Sequence, residues 1–152
     1  MLLVKKTMLL LLVSLTVSAA NAQQTNTPTV AVFSRFSNLI DLSEATLANA
    51  MQMSKGQTVT LQLGENFNFP GTVISNENVY SNLQTVIIKS SDYNNALLQV
   101  SKQINEDKSI SYVGRIFSQG SSDGFEMKRN TNGSYRLQKF ETVKILQDCD
   151  LH

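Results

Sequence analysis

From Thr58 onward the sequence repeats one pattern, in which short stretches of alternating apolar and polar residues are separated by clusters of turn-forming residues. In the first stretch, Val59, Leu61 and Leu63 would face one side of a strand, and the polar residues between them would face the other. Such stretches recur about every ten residues, and connections that short join antiparallel neighbours. The pattern therefore predicts a mainly β fold, an antiparallel meander of roughly eight short strands that forms a barrel or a sandwich.

The turn signals set the expected strand boundaries. Asn132-Gly133 is the strongest, because both residues tolerate the positive φ that a tight hairpin turn requires. Pro70-Gly71 interrupts one stretch, which indicates a sheet edge or a bulge, and residues 75–82 are expected to form a loop. The predicted strands are residues 30–36, 58–63, 67–74, 83–89, 96–101, 110–117, 125–129 and 134–140, with a last short strand at 143–146.

One helix is predicted on the N-terminal side of this β-rich part. Asp41 is a favourable N-cap, and Glu44 lies three residues later, which is the spacing of a capping box. Gly56 is placed to end the helix in a left-handed conformation. The apolar face, counted from Ile40, contains Leu47, Ala48 and Met51.

The first 22 residues have the organisation of a signal peptide. Lys5 and Lys6 precede an apolar run, residues 8–17, that is too short to span a bilayer. Ala20 and Ala22 put small residues at the two positions that a signal peptidase reads, so we expect cleavage after Ala22. Export to the periplasm or the extracellular space follows, with no stable membrane span after cleavage.

The rest of the chain is expected to form one domain. Residues 23–28 read as a flexible leader, 29–147 as a single β-rich domain and 148–152 as a C-terminal tail. The sequence carries 13 basic and 12 acidic residues. This near balance argues against the strongly basic surface that nucleic-acid binding needs.

No combination of residues indicates catalysis. The single histidine is the last residue, His152, so a serine or cysteine nucleophile has no well-fixed base, and a catalytic zinc lacks its three protein ligands. Three carboxylate pairs are candidates for acid–base chemistry by count only, and a solvated turn or rim explains them more simply. We therefore predict a protein that is not an enzyme and has no cofactor or metal of its own. The pairs are Glu106 with Asp107, Asp123 with Glu126, and Asp148 with Asp150.

Cys149 is the one residue for which a binding role is predicted. As the only cysteine it cannot form an intrachain disulfide, although export implies an oxidising compartment. A thiolate is a strong zinc ligand, so Cys149 could serve as a single ligand to the metal of a partner protein. Asp148 and Asp150 disfavour the thiolate, an effect that a metal cation would reverse. The alternatives are the end of a last strand and a disulfide that links two copies of the chain.

The order of motifs between Leu47 and about Leu146 also points to a family. A short helix leads into GQTVTLQL, FNFPGTVIS follows, and a VGRI strand and an NGSYRL hairpin come later. In this order the chain resembles the N-terminal pro-domains of some secreted bacterial metallopeptidases. The resemblance implies a β-rich module that covers a protease or assists its folding, and Cys149 would match the cysteine that some of these pro-domains place on the catalytic zinc. No peptidase domain follows, and DCD lacks the basic and glycine residues of the best-known inhibitory motifs, so such a module would act in trans.

Two classes of function are expected from these patterns. The leading hypothesis is a small exported non-enzymatic binding module that acts on a secreted peptidase, or another envelope protein, as an inhibitor or a chaperone. The alternative is a structural or adhesive envelope protein that works through polar β surfaces or the pairing of sheet edges. A closed barrel with an apolar lumen would instead favour carriage of a small ligand.

Overall fold

The computed structural model describes residues 30–141, which form one 8-stranded antiparallel sheet and one short helix. The predicted signal peptide (1–22), leader (23–28), last strand (143–146) and tail (148–152) lie outside the described residues. No helix in residues 30–141 is long and apolar enough to cross a membrane. The elements are β1 (Leu39–Leu42), α1 (Glu44–Ala50), β2 (Thr58–Gly64), β3 (Phe67–Tyr80), β4 (Leu83–Ser90), β5 (Leu97–Ile104), β6 (Ile110–Phe117), β7 (Asp123–Arg129) and β8 (Tyr135–Glu141).

The sheet is a meander in which β2 to β8 pair in chain order, and β1 returns to pair with β8. Leu39 lies opposite Gln138 and Leu42 lies opposite Tyr135. The sheet curls into a half-barrel, and its two edge strands, β1 and β2, are not hydrogen-bonded to each other. The prediction of an antiparallel, mainly β meander with one helix is thus confirmed, whereas the sheet does not close completely.

The concave face of the sheet holds the hydrophobic core, as the alternation of side chains predicts. Val59, Leu61 and Leu63 of β2 are buried, and the polar residues between them are exposed. Large side chains fill the space inside the curl. Those that are fully buried include Phe33, Phe67, Phe69, Phe125, Leu47, Ile88, Leu98, Ile116 and Leu137.

The predicted strand at residues 30–36 is wrong, because this segment folds as a turn. The Phe36 N–H donates to the Phe33 carbonyl at 3.1 Å, and only Val30 makes a bridge, to Ser121. The turn directs Phe33 into the core, where it is fully buried. The apolar residues that indicated a strand instead pack on the core from a turn: Phe33 is fully buried, and Val32 and Phe36 are half-buried. The first strand, β1, lies further along the chain.

The predicted helix exists, but its start and its buried face differ from the prediction. Ser43, not Asp41, is the N-cap: its Oγ accepts a hydrogen bond from the Ala45 N–H at 3.2 Å. Asp41 and Ile40 belong to β1, so the apolar face cannot begin at Ile40. Ala48, which was expected to be buried, is exposed. The residues of this segment that reach the core are Leu47, Ala50 and Met51.

Gly56 does not end the helix, although it does have a positive φ. With φ of 86° it lies in the turn before β2, where its N–H donates to the Val73 carbonyl at 2.8 Å.

The loop between α1 and β2 is held by two amide side chains. Asn76 donates to the carbonyls of Met51 and Met53 at 3.1 and 2.6 Å, and Gln84 also donates to Met51, at 2.9 Å.

Strand β3 is longer than predicted and includes most of the expected loop at residues 75–82. Pro70 does not interrupt it, because Pro70 lies beyond the end of β4, where a missing N–H costs no ladder hydrogen bond. The register shifts between Val73 and Ser75, so a bulge lets the strand continue to Tyr80.

Replacing the N-cap tests the revised start of α1. We expect Ser43→Ala to lower the free energy of unfolding by about 1 kcal/mol, because it leaves a helix N–H without its acceptor. Asp41→Ala serves as the matched control and should change stability by less than about 0.5 kcal/mol. Urea titration of both variants measures the difference. A larger loss for Asp41→Ala would restore the capping scheme predicted from the sequence.

Candidate binding cleft

A cleft of about 600 Å³ lies where the edge of β1 meets the turn between β2 and β3. Three segments of the chain line it: residues 35–37 ahead of β1, residues 39–41 within β1, and residues 64–67 at the turn. We call it the seam cleft, because it lies at the unpaired seam between the two edge strands of the sheet. It opens to solvent on one side, so a ligand could enter without a change of fold.

Gly64 brings the two walls of the seam cleft together. A Cβ atom on this residue would lie 2.5 Å from Cγ2 of Ile40, which is closer than carbon atoms can approach. Only glycine therefore allows the β2–β3 turn to pack this closely against β1. The edges of the sheet are in contact here without forming a ladder.

Aromatic rings form the apolar side of the seam cleft. Phe36, which is half-buried, stacks on Phe67 with ring centroids 4.2 Å apart and an angle of 28° between the planes. Phe67 in turn packs against Tyr93 and Phe125, at 5.7 and 5.6 Å. Because these rings belong to the core, they give the cleft a rigid wall.

Arg35 places a positive charge at the seam cleft. Its guanidinium lies 4.8 Å from the centre of the Phe36 ring and 5.5 Å from that of Tyr93. One guanidinium nitrogen donates to the Tyr93 hydroxyl at 3.5 Å, and that hydroxyl donates to the Asn68 carbonyl at 2.7 Å. Cation–π contacts and this hydrogen bond restrict the side chain while leaving most of its N–H donors for a ligand.

The edge of β1 supplies free backbone groups on the same side. The Lys139 N–H donates to the Asn38 carbonyl at 2.8 Å. This hydrogen bond establishes which residues of β1 direct their backbone groups toward β8. In an antiparallel ladder alternate residues face the neighbouring strand, so Ile40 bonds to β8 and the N–H and C=O groups of Leu39 and Asp41 point away from it. These groups can accept and donate hydrogen bonds to a second extended chain.

Asp123 holds the segment that carries Arg35 and Phe36. The Phe33 N–H donates to both carboxylate oxygens of Asp123, at 3.1 and 3.0 Å, and the Ser121 hydroxyl donates to one of them at 2.7 Å. Asp123 is only 5% exposed. The position of the cleft wall thus depends on a buried carboxylate far along the sequence.

The structure does not bring the predicted carboxylate pairs together in a reactive arrangement. Asp123 faces the core, whereas Glu126 faces solvent on the other side of β7 and pairs with Lys128 at 2.6 Å. Glu106 and Asp107 are exposed in the β5–β6 turn, where the hydroxyl and N–H of Ser109 lower the pKa of Asp107.

The remaining predicted site residues, Asp148, Cys149, Asp150 and His152, lie outside the described residues. Within residues 30–141 no group of three His, Cys, Asp or Glu side chains is placed to hold a metal ion. Neither Arg35 nor Phe36 was singled out by the sequence. Their arrangement depends on the turn at residues 32–35, and the cue for it was the concentration of aromatic residues around one arginine in VFSRF.

At the opposite end of the sheet, Tyr112 and Tyr135 form a buried pair, and Tyr135 lies opposite Leu42 at the end of β1. Their rings meet edge to face at 5.7 Å, and the Tyr112 N–H donates to the Tyr135 hydroxyl at 3.1 Å. Burial raises the pKa of Tyr112, and the charges of Glu44 and Tyr135 raise it further.

This shift predicts a loss of stability at alkaline pH. Since the folded pKa of Tyr112 lies above the ordinary value of 10.0, its contribution is complete below that pH and is lost as the pH rises through the folded pKa. We expect Tyr112→Phe to lose less stability than the wild type over this alkaline range. Urea titrations from pH 8 to 11 measure the difference. Parallel alkaline losses in the two proteins would contradict the prediction.

No protein-family model, curated protein or solved structure matches this chain.

Proposed function

We propose that this chain is a small exported binding module, not an enzyme, that holds an extended segment of a partner protein in the seam cleft. The observation that carries the proposal is the combination within one cleft of a restrained cation, a rigid aromatic wall and free backbone groups. A segment in extended conformation matches all three, since its backbone can bond to the strand edge while alternate side chains meet the wall and the charge.

The pro-domain resemblance gives this proposal a specific version. The partner would be a secreted peptidase, inhibited or assisted in folding in trans, and Cys149 would act as a single ligand to its zinc. Strand β8 ends at Glu141, opposite Asp123, so the described chain ends on the same side of the sheet as the seam cleft.

A selection with matched variants tests the general proposal. Random peptides displayed on phage are selected for binding to the full exported chain. Their affinities for the Leu39→Trp and Val113→Trp variants are then measured. Both residues are outward-facing and exposed, at 53% and 63%, but only Leu39 lines the seam cleft. We expect selected peptides to lose binding to Leu39→Trp and to retain it on Val113→Trp. Failure to select any peptide, or equal binding to both variants, would contradict the proposal.

The peptidase version needs its own assay. The full chain is incubated at micromolar concentration with secreted zinc peptidases, alongside Cys149→Ala. Inhibition that is lost in the variant supports the contact between Cys149 and zinc. Unchanged peptidase activity with the wild-type chain removes this version and leaves the general proposal standing.

A structural or adhesive envelope role is the second candidate, and the edge of β2 favours it. This strand, Thr58–Gly64, contains no charged residue and no proline, so it lacks the usual protection of an exposed edge. Among residues 30–141, only one outward carbonyl of this strand accepts a hydrogen bond, that of Gln62, from the Thr46 hydroxyl at 3.4 Å. Sizing with and without reductant separates edge pairing from a Cys149-linked dimer, and Thr60→Lys should abolish only the former.

A further inference from the structure

The charges around the seam cleft narrow the class of segment that it would accept. Arg35 stands on one side, and the carboxylates of Asp41 and Glu65 also line the cleft. Among the described residues these three side chains form no ion pair with one another. The cleft therefore presents opposite charges that are available to a ligand.

Of the opposite charges in the cleft, the cation of Arg35 is held more firmly in place for binding than the two carboxylates are. Arg35 is exposed, but contacts with the rings of Phe36 and Tyr93 restrict its side chain, so part of its conformational entropy is lost before a ligand binds. Its guanidinium carries five N–H donors, and within residues 30–141 it donates a hydrogen bond only to the Tyr93 hydroxyl. A planar fork of free donors fits a carboxylate, which accepts two parallel hydrogen bonds.

The two acidic residues oppose a purely anionic ligand. Asp41 and Glu65 place two carboxylates in the lining against the one guanidinium of Arg35, so a carboxylate that Arg35 does not bind would be repelled there. Outside the lining, Arg136 lies opposite Asp41 in β8, and the Lys139 ammonium donates to the Phe36 carbonyl at 2.5 Å. A segment with a basic group beside its carboxylate can pair with the cation and with the acidic residues of the cleft. The accessible part of the Phe36 ring, which is backed by the buried Phe67, adds an apolar surface for an aliphatic or aromatic side chain of the segment.

From these observations we infer that the seam cleft selects an extended segment that carries a carboxylate for Arg35 and a neighbouring basic side chain for Asp41 and Glu65. This inference rests on the proposed function, since it names the chemistry of the segment held there. The carboxylate belongs either to an acidic side chain or to the C-terminus of the segment.

Fluorescence anisotropy with defined peptides tests the inference on the full chain. The parent is an N-acetylated, C-amidated octapeptide of alternating Val and Thr that contains one Glu and one Lys. Three relatives replace Glu with Gln, replace Lys with Gln, or combine the Gln replacement of Glu with a free C-terminal carboxylate. We expect each neutral replacement to weaken binding about tenfold or more. The peptide with a free C-terminal carboxylate should regain affinity only if Arg35 binds the C-terminus of the segment.

Variants assign the effect to the cleft. Arg35→Gln should weaken the Glu peptide about tenfold and leave the Gln peptide unchanged, while Asp41→Asn combined with Glu65→Gln should abolish the preference for Lys. Arg115→Gln is the matched control, because Arg115 also lies 4.8 Å above a ring, that of Phe117, but outside the cleft.

The outcomes separate the inference from the proposed function. Peptides that bind, lose affinity on Leu39→Trp and yet ignore Arg35→Gln would overturn the charge selection while leaving the cleft as a binding site. Peptides that respond equally to Arg35→Gln and Arg115→Gln would overturn it as well. If no peptide of the set binds, the charge selection is wrong, and the phage selection then decides whether the proposed function fails too.

Discussion

Replacing Phe33 with alanine is expected to lower the free energy of unfolding by about 3–5 kcal/mol, the usual cost of removing a buried aromatic side chain. Phe33 is fully buried and its ring meets those of Phe67, Tyr93 and Phe125 at 6.2, 5.8 and 5.6 Å. It also fastens the segment that forms one wall of the seam cleft, so binding of cleft peptides should weaken together with stability.

Urea titration at neutral pH measures this loss. Ser34→Ala is the control: the residue is adjacent and exposed, and its replacement should change stability by less than about 0.5 kcal/mol. Phe33→Leu, which retains most of the apolar volume, should lie between the two. Equal stabilities for Phe33→Ala and Ser34→Ala would show that residues 30–38 do not pack on the core.

Asp123→Ala should have the second largest effect, a loss of about 2–4 kcal/mol. The substitution removes a charged acceptor and leaves the buried Phe33 N–H without a partner, which costs about 1–3 kcal/mol for each group stranded in this way. The Ser121 hydroxyl loses its contact with Asp123 as well. Glu126→Ala is the control on the same strand, since its exposed pair with Lys128 contributes at most about 1 kcal/mol.

A double-mutant cycle shows whether these two residues act through the same segment. If Asp123 stabilises the fold by anchoring the turn around Phe33, the Asp123→Ala substitution should cost less in the Phe33→Ala background, where the turn is already loosened. Additive losses would mean that Asp123 supports β7 and not the segment ahead of β1.

The meander from β2 to β8 could be predicted because its information is local. Alternation in β2 and the Asn132-Gly133 turn before β8 each specify a strand and its partner within a few residues. The segment ahead of β2 could not be predicted this way. β1 forms because Leu39–Leu42 pairs with the edge of β8, almost a hundred residues away. Phe33 is buried by rings from β3, from β7 and from the connection between β4 and β5.

The seam cleft was missed for the same reason. The sequence pattern assigns Arg35 and Phe36 to a strand and Gly64 to a turn. Only the pairing of β1 with β8 brings Ile40 against Gly64 and so forms the cleft. Loop 75–82 was misassigned because a bulge near Ser75 lets β3 continue through polar residues that usually form turns. For the cleft, long-range pairing overrides the local pattern, and for β3 a bulged hairpin with the next strand does so.

Chemical-shift mapping on the ¹⁵N-labelled full chain, titrated with a peptide obtained from the phage selection, tests the central claim most directly. The account predicts that amide shifts concentrate in residues 35–41 and 64–67, where the three segments of the seam cleft meet. Shifts confined to the β3–β4 and β5–β6 turns at the other end of the sheet, or no shifts at millimolar peptide, would contradict it.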